Sequence, residues 1–208
     1  MSATKTISSR PAPAFDAHVS PGAALAAARC LDLDGNPVRL RDVFDDRPTV
    51  VTLVRQFGCL FCHELVAELI EGADAITRAG GHQVIVGSGS VNQARKFAEH
   101  KGLPRPDVTL LTDPERASYD AALVRRSWIA TFLHPSAWSA YARARHDGHA
   151  ITGSFGDVPQ LGGIFVVRPP ATLVFEHRSR FAGDNPSLDE VVAAVARRHS
   201  WMDELTVA

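Results

Sequence analysis

Cys59 and Cys62 are separated by two residues, a spacing at which one helical turn can close and reopen a disulfide. Residues 50 to 70 around them read Val-Val-Thr-Leu-Val-Arg-Gln-Phe-Gly-Cys-Leu-Phe-Cys-His-Glu-Leu-Val-Ala-Glu-Leu-Ile. A β-branched run leads into the pair, and apolar residues at helical spacing follow it. This order sets Cys59 at or just before a helix N-terminus, where unpaired backbone N–H groups and the helix dipole favour a thiolate. Arg55, four residues upstream, adds a positive charge acting in the same sense. A thiolate is the nucleophile toward disulfides and peroxides. Cys59 is therefore the candidate nucleophile, and Cys62 the resolving partner, deeper in the helix. A pair of buried structural thiols is the plainer alternative.

His63 completes a literal Cys-x-x-Cys-His, the c-type haem attachment motif. The strand before it and the helix after it argue for a dithiol site instead, and the only methionines, Met1 and Met202, are poor axial ligands. His63 reads either as a group that tunes the thiols or donates a proton, or equally as a helix surface residue with no role. Zinc would need two ligands beyond the cysteine pair. There is no second Cys-x-x-Cys, and Cys30 reads as a small buried residue, so only His134, His146 and His149 could fold back to serve. No metal and no organic cofactor is expected. Gly87-Ser-Gly-Ser-Val-Asn lacks the third glycine of a dinucleotide loop, carrying Asn92 there, and reads as a strand-to-helix turn capped by Ser90.

The elements that must position the pair follow from periodicity and punctuation. Residues 1–20 form a loose arm rich in Ser, Pro and Ala, and 21–208 form one domain. Asp34-Gly35 between alternating apolar positions marks a hairpin. Thr49 to Arg55 reads as a buried central strand. The helix after Cys59 runs to Gly80-Gly81. A strand over Gln83–Val86, a Ser90/Gln93 capping box opening a helix that Gly102 and Pro104 stop, and a strand over Val108–Leu111 come next. Asp113-Pro114 reads as the cap of a further helix. Strands at Gly162–Val167 and Thr172–Glu176 flank Pro169-Pro170, and a last helix opens at a Ser187/Glu190 capping box. Residues 124–158 break the alternation and read as a helical insertion, with Trp128, Phe132, Trp138 and Tyr141 at roughly helical spacing. The order βαβαβα, insertion, ββα predicts an α/β fold with a mixed sheet flanked by helices.

Composition narrows the function. A net charge of −1 gives no electrostatic case for nucleic acid or an anionic membrane. No apolar run approaches the roughly 20 residues that span a bilayer. The first thirty residues lack a continuous apolar core, so a cytoplasmic protein is expected, and a compartment that keeps thiols reduced favours a catalytic over a structural cysteine pair.

Three phrases carry a family resemblance: Arg55-Gln-Phe-Gly-Cys-Leu-Phe-Cys, Gln160-Leu-Gly-Gly-Ile-Phe-Val-Val, and Glu176-His-Arg-Ser-Arg followed by Gly183-Asp-Asn-Pro-Ser-Leu-Asp-Glu. In this order, and after an N-terminal hairpin, they resemble the thioredoxin-like fold in its peroxiredoxin variant. More narrowly, they resemble the AhpC/TSA branch that carries a Cys-x-x-Cys. The resemblance implies a Cys59–Cys62 redox disulfide that reduces a peroxide (organic peroxide or endoperoxide favoured) or a disulfide. A thioredoxin- or glutathione-type reductant would recycle it, and a homodimer is a form such proteins take. It implies Arg55 and His63 as catalytic partners of the cysteines. It also implies substrate contacts from Phe57, Gly58, Gln160, Gly162 and Arg178, although a surface or carboxylate-paired Arg178 is an equal reading. By its spacing Trp128 reads first as core packing of the insertion and alternatively as part of an apolar wall for an organic substrate. The sequence departs from the usual peroxidatic phrase in both cysteine frames, and Gly162 stands where an arginine is usual; these departures favour general thiol–disulfide exchange. A different class of function is a non-catalytic binding or partner module, with an apolar pocket formed by the insertion.

Overall fold

The computed structural model describes residues 20–44, 46–128, 146 and 157–197. Seven strands form one sheet: β1 (Arg29–Leu31), β2 (Pro37–Arg39), β3 (Thr49–Val54), β4 (His82–Gly87), β5 (Val108–Thr112), β6 (Gly163–Arg168) and β7 (Thr172–Arg178). Their order is β2-β1-β5-β4-β3-β6-β7. Parallel pairing joins β3 to β4 and β4 to β5, while β6 runs antiparallel to β3 and β7 antiparallel to β6. The sheet is mixed, as the element order predicts.

Every residue of β3 is buried, because helices cover both faces of the sheet. A strand buried on both sides has no polar face to show, which is why Thr49–Val54 reads as a continuous apolar run. One core packs α2 (Leu60–Glu71), α3 (Ala73–Arg78), α4 (Val91–Lys101) and the last helix, α6 (Leu188–Ala196), against Val50, Val54, Ile85, Ile164 and Val166. The other packs α1 (Pro21–Ala27) and α5 (Ala117–Ala121) against Val51, Leu53, Val84, Val86 and Phe165. Alternate residues of each strand thus serve opposite cores. A fully buried Leu or Ile contributes roughly 1.5–3 kcal/mol, so both faces hold the sheet firmly under the site.

Three local expectations need correction. The helix after Cys59 does not run unbroken to Gly80. It stops at Gly72, where the side chain of Leu188 from α6 occupies the space that a Cβ would fill. Asp113 does not cap the next helix; α5 begins at Ala117 with Arg116 as its cap, in the left-handed region at φ 63°. Asp113 instead accepts from the Ser118 N–H at 2.7 Å and from its hydroxyl at 2.6 Å. Helix α1 is absent from the sequence reading, although Ser20 at its N-cap and Pro21 at its first turn are start signals; seven residues are too few for a visible apolar period. The Ser90/Gln93 and Ser187/Glu190 capping boxes form as read. Most of the insertion lies outside the described residues.

Candidate active site

Strand β3 ends at Val54 and α2 starts at Leu60, so Arg55 and Cys59 bracket the turn from sheet to helix. The carboxyl ends of parallel strands are where α/β sheets carry their sites. Phe57 anchors the turn. Its ring lies 5.1 Å from that of Phe97 on α4, and it fills the space over Gly87 where a Cβ would otherwise sit. Gly58 follows in the same buried turn. Cys59 takes the extended N-cap conformation (φ −79°, ψ 130°), and its carbonyl accepts from the N–H groups of Cys62 and His63 at 3.0 Å each. The helix thereby starts with the Cys59 sulfur at its positive end.

The Arg55 guanidinium is held as a fork. Nε donates to the Gln160 carbonyl at 3.0 Å and Nη2 to the Val158 carbonyl at 2.9 Å. Nη1 is then directed at Cys59 Sγ, 3.3 Å away. The Arg55 main chain is fixed as well, because its carbonyl accepts from Ser88 Oγ at 2.7 Å. A planar group with donors in fixed directions can serve two carbonyls and one sulfur at once. Gln160 is itself fixed: its amide donates to the carbonyls of Val124 at 3.2 Å and Leu161 at 3.1 Å. Gly162 is required by close approach, since a Cβ there would lie 2.5 Å from the Leu53 carbonyl oxygen and 3.7 Å from Arg55 Cγ.

The electrostatics divide the two thiols. The Cys62 S–H donating to its sulfur is the main cause that lowers Cys59; burial opposes it. The Arg55 charge and the backbone N–H groups of Cys62 and Phe61 then help bring Cys59 down to about 6. Neither N–H closes a formed cap hydrogen bond on the sulfur, so they act as oriented dipoles. Cys62 moves the other way: burial and the neighbouring Cys59 push it well above an ordinary thiol. These contacts favour a thiolate at Cys59 beside a protonated thiol at Cys62. Cys59 is 7% exposed and Cys62 3%, so only a small reactant reaches either sulfur directly. A small cleft of about 10 Å³, room for little more than a water molecule, opens beside Arg55 and Cys62 and is lined also by Phe61, Leu65, Gly162 and Asn185; Cys59 does not line it.

The structure gathers Arg55, Cys59, Cys62, Gln160 and Gly162 in one place. Other residues read from the sequence lie elsewhere. Arg178 donates from Nε to the Ala122 carbonyl at 2.6 Å, pairs with Glu176 at 2.9 Å, and lies 5.5 Å over the Phe165 ring. Phe165 belongs to the core on the sheet face opposite the cysteines, so the structure does not bring Arg178 to the thiols. The His63 ring faces α4, with centroids 5.1 Å from Phe97 and 5.3 Å from His100. Trp128 is 61% exposed at the end of a described stretch. Cys30 is buried in the second core and its thiol is pushed up to about 12, chiefly by burial and then by Asp113. Among the described residues, no three His, Cys, Asp or Glu side chains are grouped to hold a metal ion.

Two parts of the site escape a reading of side chains. Val158 acts through its main-chain carbonyl, for which no residue type is a signal. Ser88 is placed by the sheet register alone: Gly87 pairs with Val54, so the next residues, Ser88 and Arg55, leave the sheet side by side.

Comparison with known proteins places the chain in a family. Residues 68–180, just over half of the chain, match the family model described as AhpC/TSA antioxidant enzyme. The matched stretch starts inside α2, after both cysteines. Thioredoxin-like protein AAED1, chloroplastic, of Arabidopsis thaliana is 29% identical over 179 residues, covering 82% of this chain and 71% of that protein. Peroxiredoxin-like 2C of Bos taurus is 26% identical over 202 residues, covering 91% and 86%. Among solved structures, the peroxidoxin BcpB of Mycobacterium tuberculosis superposes with a TM-score of 0.58 at 19% identity, over 82% of this chain and 93% of that one, which shows a shared fold. The chain belongs to the AhpC/TSA antioxidant enzyme family, as a peroxiredoxin-like protein of the thioredoxin superfamily. That membership makes it a thiol-dependent oxidoreductase.

Proposed function

We propose that the protein reduces a peroxide through the Cys59–Cys62 pair and is recycled by a thioredoxin- or glutathione-type thiol. The observation that carries this reading is Arg55 Nη1 at 3.3 Å from the sulfur of the residue at the N-cap position of α2, with a second thiol one turn on. The Cys59 thiolate attacks the terminal oxygen of ROOH. The O–O bond breaks, the S–O bond forms, and RO⁻ leaves and takes a proton as ROH, so sulfur is oxidised and peroxide reduced. Cys62 then attacks the Cys59 sulfenic acid, an S–S bond forms, and hydroxide leaves as water with the Cys62 proton. Two reducing equivalents from an external dithiol, or from two monothiols, restore both cysteines.

The Arg55 charge stabilises the attacking thiolate and faces the oxygen that develops charge as the bond breaks. An organic peroxide or endoperoxide is the favoured substrate in this reading, with Phe61 and Leu65 supplying apolar surface beside Arg55 and Cys62. An electrophilic disulfide would meet the same thiolate, and Cys62 would resolve that mixed disulfide by the same attack. His63 and the buried Phe57–Gly58 turn support the site from behind in this reading.

The test is intact mass and thiol titration of the wild-type chain after one equivalent of an alkyl hydroperoxide. The reading expects loss of two thiols and of two hydrogens' mass, reversed by dithiothreitol. A small aromatic disulfide oxidising the pair where the hydroperoxide does not would move the assignment to thiol–disulfide exchange. Inertness to both would leave only a binding module.

A further inference from the structure

We propose that Asp157 is a positioning residue for the site, its carboxylate fixing the turn whose carbonyls aim Arg55 at Cys59. This deepens the proposed thiol chemistry and rests on it.

Asp157 has a nearly buried carboxylate, with 10% side-chain exposure, and two cations share it. Arg126 Nη2 donates to Oδ1 at 3.1 Å, and Arg126 Nε lies 2.8 Å from Oδ2 as an ion-pair contact. Arg116 Nη1 lies 3.2 Å from Oδ2. One charge-assisted hydrogen bond and two flanking cations hold the carboxylate in place. Arg116 is also the residue at φ 63°, a conformation costly for an L side chain unless its surroundings determine it.

From this anchor the chain makes one turn. The Asp157 carbonyl accepts from the Gln160 N–H at 3.0 Å. The turn so closed presents the carbonyls of Val158 and Gln160, the two that hold the Arg55 guanidinium. Asp157 reaches Arg55 by a second route. Its N–H donates to Ser88 Oγ at 3.2 Å, and that hydroxyl donates to the Arg55 carbonyl at 2.7 Å. Head and main chain of Arg55 are thus both referred to Asp157. Residues 125–127 brace the far side of the turn, Ser127 N–H donating to the Pro159 carbonyl at 2.8 Å and Leu161 N–H to the Arg125 carbonyl at 3.2 Å.

The sign of one substitution separates positioning from plain charge. Asp157→Asn removes a negative charge, and by Coulomb's law alone that favours the thiolate of a nearby cysteine, moving the Cys59 pKa down. Loosening Arg55 moves Cys59 up. The measurement is the pH dependence of iodoacetamide labelling at Cys59, located by peptide mass, in a Cys62→Ser background whose hydroxyl keeps a donor beside the sulfur. Positioning predicts an upward shift of about one unit in Asp157→Asn. It predicts a smaller upward shift in the charge-neutral Ser88→Ala, and no added shift from Asp157→Asn once Arg55 is Met. Should Asp157→Asn fail to fold, Ser88→Ala decides. Folded variants that titrate like the parent, or shift down, overturn the inference alone. A parent in which Cys59 titrates as an ordinary thiol overturns the thiolate reading beneath it, and the inference with it.

Discussion

Arg55 Nη1 stands 3.3 Å from Cys59 Sγ, and the other two nitrogens of the same guanidinium are taken by main-chain carbonyls of the segment leading into β6. The charge that favours the thiolate therefore comes from the end of the strand before the cysteine motif. Gly162, at the β6 side, contributes room in place of a side chain.

Replacing Arg55 tests this directly. Arg55→Met removes the charge and leaves two buried carbonyls without their donor. Cys59 should rise toward an ordinary thiol, and reaction with an alkyl hydroperoxide at neutral pH should slow by about tenfold. Loss of the two hydrogen bonds should cost about 2 kcal/mol in urea unfolding. Arg55→Lys restores charge without the fork and should fall between the two.

The pH profile has a definite sign. Cys59 is lowered to about 6, so its thiolate fraction falls about tenfold per pH unit below that point and is level above it. Labelling of Cys59 by iodoacetamide should follow that curve. An ordinary thiol would still be gaining reactivity between pH 7 and 9, and a curve of that shape would count against the Arg55–Cys62 environment.

Gly162→Ala should destabilise the fold as well as the site. Its Cβ would lie 2.5 Å from the Leu53 carbonyl oxygen, so β6 must draw back from β3. A loss of about 1–3 kcal/mol is expected from overpacking of this kind, read as a lower urea midpoint. Slower peroxide reaction should accompany it, because Gln160 moves with β6.

Tyr119→Phe offers the contrasting case. The hydroxyl donates to the carbonyls of Val54 and Val86 at the ends of the two central strands, inside the second core. Removing it should cost about 1–2 kcal/mol in stability. The Cys59 labelling curve should stay where it is, because Arg55 keeps its contacts with Ser88, Val158 and Gln160.

The sequence made some of this site legible and hid the rest for physical reasons. Cys59 at a helix start, Cys62 one turn on, and Arg55 upstream lie within one strand–helix unit, so local periodicity was enough to align them. The buried strand and the two capping boxes were legible for the same reason. Gln160 and Gly162 could be named from a family phrase, yet their part is main-chain geometry: a carbonyl for Arg55, and an absent Cβ against Leu53. Ser88, Val158 and Asp157 reach the site only through the sheet register and a turn distant in sequence. Arg178 shows the converse. It shares a family phrase with the site, but β7 pairs it with Gly163 on the face that holds Phe165, away from the cysteines.

The most direct test of the account is to trap the first intermediate. Cys62→Ser should be treated with an alkyl hydroperoxide in the presence of dimedone and mapped by peptide mass spectrometry. The account predicts a single dimedone adduct, on Cys59, formed rapidly at pH 7 and absent when Cys59 is also Ser. An adduct on Cys30, or none while the hydroperoxide is still consumed by the wild type, would contradict Cys59 as the nucleophile.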